Sequence, residues 1–329
     1  MQRKKVHEYD IAAIGEALID MTPLDVDGRI TYVPNPGGAP LNLLAMAAKL
    51  GLTTAFIGKV GRDAFGEIIK ESLLKEKIQD DGLLLTAEYN TTLAFVHLAA
   101  SGDRSFSFYR KDSADVQLKE EEIPWNLIDE SCVLHFGSLS LTQEPARSAV
   151  TSAVNYAKAQ GNLISYDPNY RSLLWRSEKE AVSAMLSLIP LVDILKVSEE
   201  ECRLLGGSKD LNLGAEALSS MGPKIVLVSE GEQGASYWYN GSSGTVKAKK
   251  IQAVDTTGCG DAFFGAFLAR FIQSGLPLEK LTAQTIEEFL GFAVSAGTLT
   301  ALNHGGIPSI PTEAAVKEFM TSSYQSEKE

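Results

Sequence analysis

A chain of 329 residues with 44% hydrophobic side chains can bury a large core, and open α/β sheets reach this length as one domain. Its 42 acidic and 30 basic residues leave a net charge of −12, and no block of like charge is long enough to act as a nucleic-acid tail. The expectation is therefore no nucleic-acid partner, and any anionic substrate needs a few placed Lys or Arg residues and Mg2+.

Short apolar runs at 11–14, 55–57, 133–136, 163–165, 194–197 and 225–228 predict strands. Helical patterns are predicted near 41–50, 65–75, 145–159, 178–188, 199–205, 213–221, 262–272 and 286–302. This alternation predicts an α/β fold with a mainly parallel sheet covered by helices. Residues 29–33 and 91–110 break the rhythm and read as β without helices, the second folding back at Ser101-Gly102-Asp103. They predict either an antiparallel edge of the main sheet or a small extra sheet, from about 24–35 and 91–112, that closes over a crevice as a lid or pairs with a twin sheet in a homodimer. No repeat or long linker divides the chain, so residues 1–329 are expected to form one domain.

Cys132, Cys202 and Cys259 form no Cys-x-x-Cys pair, which fits a reducing compartment. No apolar segment follows the basic residues 3–5, and the tract around 181–195 is interrupted by Ser183, Ser187, Pro190 and Asp193. The expectation is a cytoplasmic protein without a membrane span.

Polar residues recur just after the predicted strands: Glu16 and Asp20, Lys59, Gly137, Asp167 with Asn169, Ser198 with Glu201, and Glu230 with Gly231. In an open α/β sheet these strand ends share one edge, where ligands bind. Near the start, Pro36-Gly37-Gly38-Ala39-Pro40-Leu41-Asn42 leads into a helix. Backbone rules alone suit such glycines, but paired glycines also admit a ligand close to the main chain, with the Asn42 amide beside it. Asp167-Pro168-Asn169 is ordinary turn chemistry, whereas the Arg171 fork suits a transferring phosphoryl group. Lys196 through Glu201 ends a strand and opens a helix, where acids complement the dipole and Glu201 could reach the hydration shell of Mg2+. Ser229, Gly231 and Gly234 lie in a turn that could admit a nucleotide.

The most informative stretch is Asp255-Thr256-Thr257-Gly258-Cys259-Gly260-Asp261, followed at once by an apolar helical segment. Backbone N–H groups at such a helix start point outward at the positive end of the dipole and can hold an anion. Asp261, in the same first turn, is placed to take a proton from a group approaching that anion. An Asp at a helix start is often a simple cap, yet cradle and carboxylate together point to phosphoryl transfer to a hydroxyl. No third glycine completes a dinucleotide fingerprint, since position 263 is Phe, and no P-loop motif occurs. The four histidines have no metal spacing, and no Gly-x-Ser-x-Gly elbow supports a hydrolase.

From residue 14 to residue 311 the chain resembles the ribokinase/PfkB carbohydrate kinases. The resemblance rests on Gly37-Gly38-Ala39-Pro40-x-Asn42 and on residues 255–261 as the two signatures. Within the family it is most similar to the fructokinase branch, through 106–110, 113–115, 135–138 and Ser165-Tyr166-Asp167-Pro168-Asn169-x-Arg171 with Trp175.

The resemblance implies a ribokinase-like fold with a β lid, ATP as donor and a sugar hydroxyl, most of all that of D-fructose, as acceptor. Asp261 would be the general base and Gly258, Cys259 and Gly260 the anion hole. Asp20, Gly37, Gly38, Asn42, Arg110 and Asn169 would contact the sugar, and Arg171 would lie between sugar and phosphate. Lys196, Ser198, Glu201, Ser229, Gly231 and Gly234 match the nucleotide and Mg2+ side. Asp255, Thr257, Thr300, Asn303, Gly305 and Ser309 match a K+ site. Other acceptors compatible with the motifs are 2-keto-3-deoxygluconate, for which Arg110 could hold the acid, an aminoimidazole riboside or another furanose. A catalytically silent sugar-binding relative is the alternative outside enzymes. Two departures are Ser198 where the family usually has Asn, and Cys259 where it usually has Ala.

Overall fold

The computed structural model describes residues 7–98 and 104–322. Thirteen strands appear in chain order: β1 (Tyr9–Ile14), β2 (Leu18–Val26), β3 (Arg29–Gly37), β4 (Thr54–Gly61), β5 (Ile78–Thr86), β6 (Thr92–Leu98), β7 (Arg104–Tyr109), β8 (Ser131–Gly137), β9 (Leu163–Asp167), β10 (Ile194–Ser198), β11 (Ile225–Ser229), β12 (Ala235–Tyr239) and β13 (Ser242–Val246). Nine of them form one sheet in the order β13-β12-β11-β10-β9-β8-β1-β4-β5, parallel from β5 to β11 and antiparallel across the last two pairs.

Apolar runs form these strands because both faces of the sheet are covered. Along β1, Ile11 and Ala13 pack into one core, and Ala12 and Ile14 into the other. Helices Ala39–Lys49, Cys259–Ser274 and Ala283–Thr300 cover the first face, and helices Ala146–Gln160 and Glu178–Leu188 the second. The strand order reverses at β1, which pairs in parallel with β4 on one side and β8 on the other. Crevices open at the carboxyl ends of strands flanking such a switch.

The second sheet has the order β3-β2-β6-β7. It is larger than residues 24–35 and 91–112 suggested, because β2 begins at Leu18 and β3 runs to Gly37. Asp27 (φ 54°) and Gly28 (φ 76°) form the two-residue turn between them, a conformation matched to strand twist. The expected turn at Ser101-Gly102-Asp103 lies outside the described residues. Strands β5, β12 and β13 were not predicted. In β5 the polar run Gln79-Asp80-Asp81 hides the apolar pattern, while Asn240 (φ 48°) and Gly241 (φ 77°) make the β12–β13 turn. Among the described residues, no helix is long and apolar enough to cross a membrane.

Candidate active site

A cavity of about 440 Å3 lies where the crevice at the switch point meets the small sheet. Its walls include Glu16, Asp20, Gly38, Asn42, Asn169, Arg171, Lys196, Gly258, Gly260 and Asp261, drawn from segments far apart in the chain.

One wall is the N-terminus of helix Cys259–Ser274. Gly258 caps it with φ 78°, a left-handed conformation that a β-carbon would strain, and a Cβ there would sit 3.2 Å from Gly306 Cα and 3.5 Å from Asn42 Nδ2. Asp255 shapes the approach, its Oδ1 accepting from Thr257 N–H at 2.8 Å and its Oδ2 from Gly305 N–H at 2.9 Å. Cys259 N–H donates to the Thr256 carbonyl at 3.3 Å, a long bond that closes the turn. Asp261 projects from the first helical turn, and its Oδ2 accepts from Asn42 Nδ2 at 2.8 Å. Burial, then the Asp167 charge, push Asp261 up to about 6, against the pull of Asn42, Lys196 and Arg171.

The opposite wall comes from the segment after β1 and from the helix start at Ala39. Gly38 (φ 112°) could not carry a side chain, because a Cβ would approach the Glu16 carbonyl to 2.6 Å. Gly37 leaves the space that the Asp20 carboxyl occupies. Asp20 is buried, and desolvation together with the charges of Asp261 and Asp255 raises it to about 7 despite Arg171.

The floor is polar and paired. Lys196, on β10, donates to Asp167 Oδ2 at 2.9 Å. Burial works against its charge, but Asp167 and Glu201 outweigh that and hold its pKa above the usual lysine value. A Cβ on Gly260 would lie 3.0 Å from Lys196 Nζ, so this cation reaches the helix start itself. Arg171 donates to the Tyr170 carbonyl at 3.1 Å and lines the cavity beside Asn169, whose φ of 47° is made tolerable by its short amide side chain.

Arg110, expected at the sugar, is not brought into the cavity lining. Its Nε donates to Asp115 Oδ2 at 2.7 Å, Nη1 to Thr142 Oγ1 at 2.8 Å and Nη2 to the Leu139 carbonyl at 3.0 Å. Thr92 Oγ1 donates to the other Asp115 oxygen at 2.6 Å, so the cluster fastens the small sheet to the main body. Such a buried guanidinium is held by its partners and has little reason to leave them.

The expected nucleotide-side residues lie beyond Lys196 at the ends of β10 and β11, where the register sets Ser198 against Ser229. Glu201 is buried in a capping box, its Oε2 accepting from Ser198 N–H at 2.7 Å and its Oε1 from Tyr170 N–H at 2.6 Å. Each oxygen keeps a lone pair, which suits a water-mediated contact to Mg2+ more than direct ligation. Gly231 is exposed, whereas Gly234 is buried with φ 110° and a Cβ would collide with the Val246 carbonyl, so strand packing accounts for it. Among the described residues, no cluster of three or more His, Cys, Asp or Glu side chains could cage a metal.

The expected K+ residues are brought close together, because Val254 and Asp255 both donate to the Ala301 carbonyl. Asp255 offers a buried carboxylate there, while the Thr300 and Ser309 hydroxyls donate to the carbonyls of Ala296 and Gly306. A monovalent cation fits this donor set through Asp255 and the main chain. His135 is a packing residue: burial drives its pKa down to about 3, and its Nδ1 lies 3.1 Å from Ser165 Oγ.

Glu16, Asp167, Thr256, Leu139 and Phe108 also belong to the site or its support. Glu16 and Asp167 carried a signal, since an acid inside or ending an apolar run is costly to bury unless it is used.

A helix N-terminus, a carboxylate and two cations meeting at the switch point of an α/β sheet define an enzyme suited to phosphoryl transfer. Residues 9–313 match the model of the pfkB family carbohydrate kinases, and the chain belongs to that family. Fructokinase-1 of Oryza sativa subsp. japonica is 41% identical over 318 residues, covering 95% of this chain and 98% of the relative. Probable fructokinase-2 of Arabidopsis thaliana is 38% identical over 316 residues, covering 94% and 95%. Among solved structures, fructokinase with bound ATP from Xylella fastidiosa superimposes with a TM-score of 0.87 at 29% identity, covering 94% of this chain and 98% of that one. The fructokinase double mutant from Vibrio cholerae O395, in its fructose, ADP and potassium ion bound form, gives 0.86 at 30% identity, covering 96% and 100%.

Proposed function

We propose that this protein transfers the γ-phosphoryl group of ATP to a hydroxyl of D-fructose, giving fructose 6-phosphate. The observation that carries the reading is Asp261, fixed by Asn42 at 2.8 Å in the first turn of a helix whose N-terminus forms the cavity wall. Fructose as acceptor is supported by the fructokinases that resemble the chain over nearly its full length.

In this reading the sugar lies against Asp20, Gly38, Asn42 and Asn169. Asp261 takes the hydroxyl proton as the hydroxyl oxygen attacks the γ-phosphorus and the bond to the ADP oxygen breaks. The N–H groups of Gly258 and Gly260 face the charge of the transferring group, the Cys259 N–H expected beside them being engaged by the Thr256 carbonyl, and Arg171 and Lys196 balance it. Mg2+ carried with the nucleotide would neutralise phosphate charge, with Glu201 facing its hydration shell. K+ beside Asp255 would counter the buried carboxylate near the helix start.

The small sheet supplies Leu18, Asp20 and Phe108 to the cavity, so its closure over bound sugar would exclude water as a competing acceptor. It also exposes Leu24, Val26, Ile30, Tyr32, Val33 and Tyr109, an apolar set suited to pairing with a second copy. The engagement of Arg110 with Asp115 removes the cation that a sugar acid would have needed from it.

ADP release measured with D-fructose, 2-keto-3-deoxygluconate and aminoimidazole riboside, with and without K+, tests the reading. Highest kcat/KM on fructose is expected. Preference for the acid or the riboside would reassign the acceptor, and no ADP with any sugar would make the chain a silent binder.

A further inference from the structure

The carboxylate of Glu16 serves neither the proton transfer nor the charge balance described above. It is 1% exposed and lines the cavity, directly after β1 at the switch point. One oxygen, Oε1, accepts from Ala39 N–H at 3.1 Å. The other, Oε2, is buried and has no hydrogen-bond partner among the described residues. Leaving a buried acceptor unsatisfied is costly, more so for a charged group, so such an atom calls for a function. On the same wall Asn42 commits its Nδ2 to Asp261 and leaves Oδ1 buried and unpartnered. Asp20 adds a third carboxyl or amide oxygen to this wall. A polyol, whose every hydroxyl can donate, is the ligand that satisfies several acceptors at once.

We propose that Glu16 is a further sugar-binding residue, its Oε2 accepting a hydrogen bond from a substrate hydroxyl that is not the one phosphorylated. Its backbone carbonyl bounds Gly38 and its Oε1 holds the Ala39 N–H, so the start of the helix that carries Asn42 and the free oxygen are set by one residue. Burial, helped by the Asp115 charge, raises the Glu16 carboxyl to about 7, against its own backbone N–H, Arg110 and the Ala39 N–H, so the acceptor form is the one present above that pH. Asp20 lies on the same wall.

The inference rests on this cavity taking a sugar. Glu16→Gln keeps an acceptor for Ala39 N–H but turns the free position into a donor, and Glu16→Ala removes both. Calorimetric titration of each variant with D-fructose, its monodeoxy analogues and a non-hydrolysable ATP analogue provides the test. Both variants should bind fructose about 10–100-fold more weakly, the usual range for one bond to a charged group, with nucleotide affinity unchanged. One deoxy analogue, the one lacking the contacted hydroxyl, should bind wild type and Glu16→Gln equally. Unchanged fructose affinity in Glu16→Gln, or equal weakening of all analogues and of the nucleotide, would overturn the proposal. Failure of the wild type on fructose would instead refute the acceptor assignment, and the same comparison with the sugar it does bind would still decide Glu16.

Discussion

Asn42 and Asp261 stand 219 positions apart in the chain, yet Nδ2 of the first donates to Oδ2 of the second at 2.8 Å. The bond joins the two helices whose starts form facing walls of the cavity. It orients the carboxylate and favours its ionised form, two effects that a base requires.

Replacement of Asn42 by Ala removes both effects. Turnover is expected to fall by about 100-fold, as for an angstrom-scale misplacement of a reacting group. The acid limb of the pH profile should also move to higher pH, because a hydrogen bond that lowers the Asp261 pKa is lost. Steady-state kinetics from acid to neutral pH measure both effects, and an unmoved limb would contradict the second.

For the wild type the sign is the same as for any essential base. Asp261, raised to about 6, must be deprotonated to act, so kcat/KM should fall as pH drops through about 6. Asp20, raised to about 7, interacts with it, so the limb belongs to the pair. A limb near about 4, where an ordinary aspartate titrates, would mean that Asp261 is not the group observed.

Asp20 links the site to stability. A carboxyl whose pKa is raised on folding binds more protons folded than unfolded, so its contribution is full at low pH and is lost as pH rises from about 4 to about 7. Asp20→Asn has no such titration. Urea unfolding should therefore find the variant gaining on the wild type as pH rises, by on the order of a few kcal/mol. Sugar affinity should fall in the same variant, an exchange of stability for function. A stability difference independent of pH would refute the burial of an ionisable carboxyl at this position.

Much of this site could be read from the chain alone, for physical reasons. Gly258, Gly260 and Asp261 lie within four residues, and their chemistry needs only the local geometry of a helix start. Gly38 and Asn42 are similarly local. What escaped sequence reasoning depends on distant partners. Arg110 reads as a sugar contact, but folding turns its Nε, Nη1 and Nη2 to Asp115, Thr142 and Leu139 and leaves it out of the cavity lining. Gly234 reads as a nucleotide turn, and the Val246 carbonyl packed against it gives a second reason for a glycine there that only the fold shows. The Lys196–Asp167 pair and the unpartnered oxygen of Glu16 require the register of strands that meet only on folding. The β12–β13 hairpin escaped as well, because its short strands carry no clear apolar alternation to flank the Asn240-Gly241 turn.

Single-turnover phosphoryl transfer from ATP to D-fructose by Asp261→Asn bears most directly on the central assignment. With fold and fructose binding intact, the rate should fall by ~10²–10⁴-fold, the usual contribution of a positioned base. A rate matching the wild type would remove Asp261 from the chemistry and leave the helix start as an anion site alone.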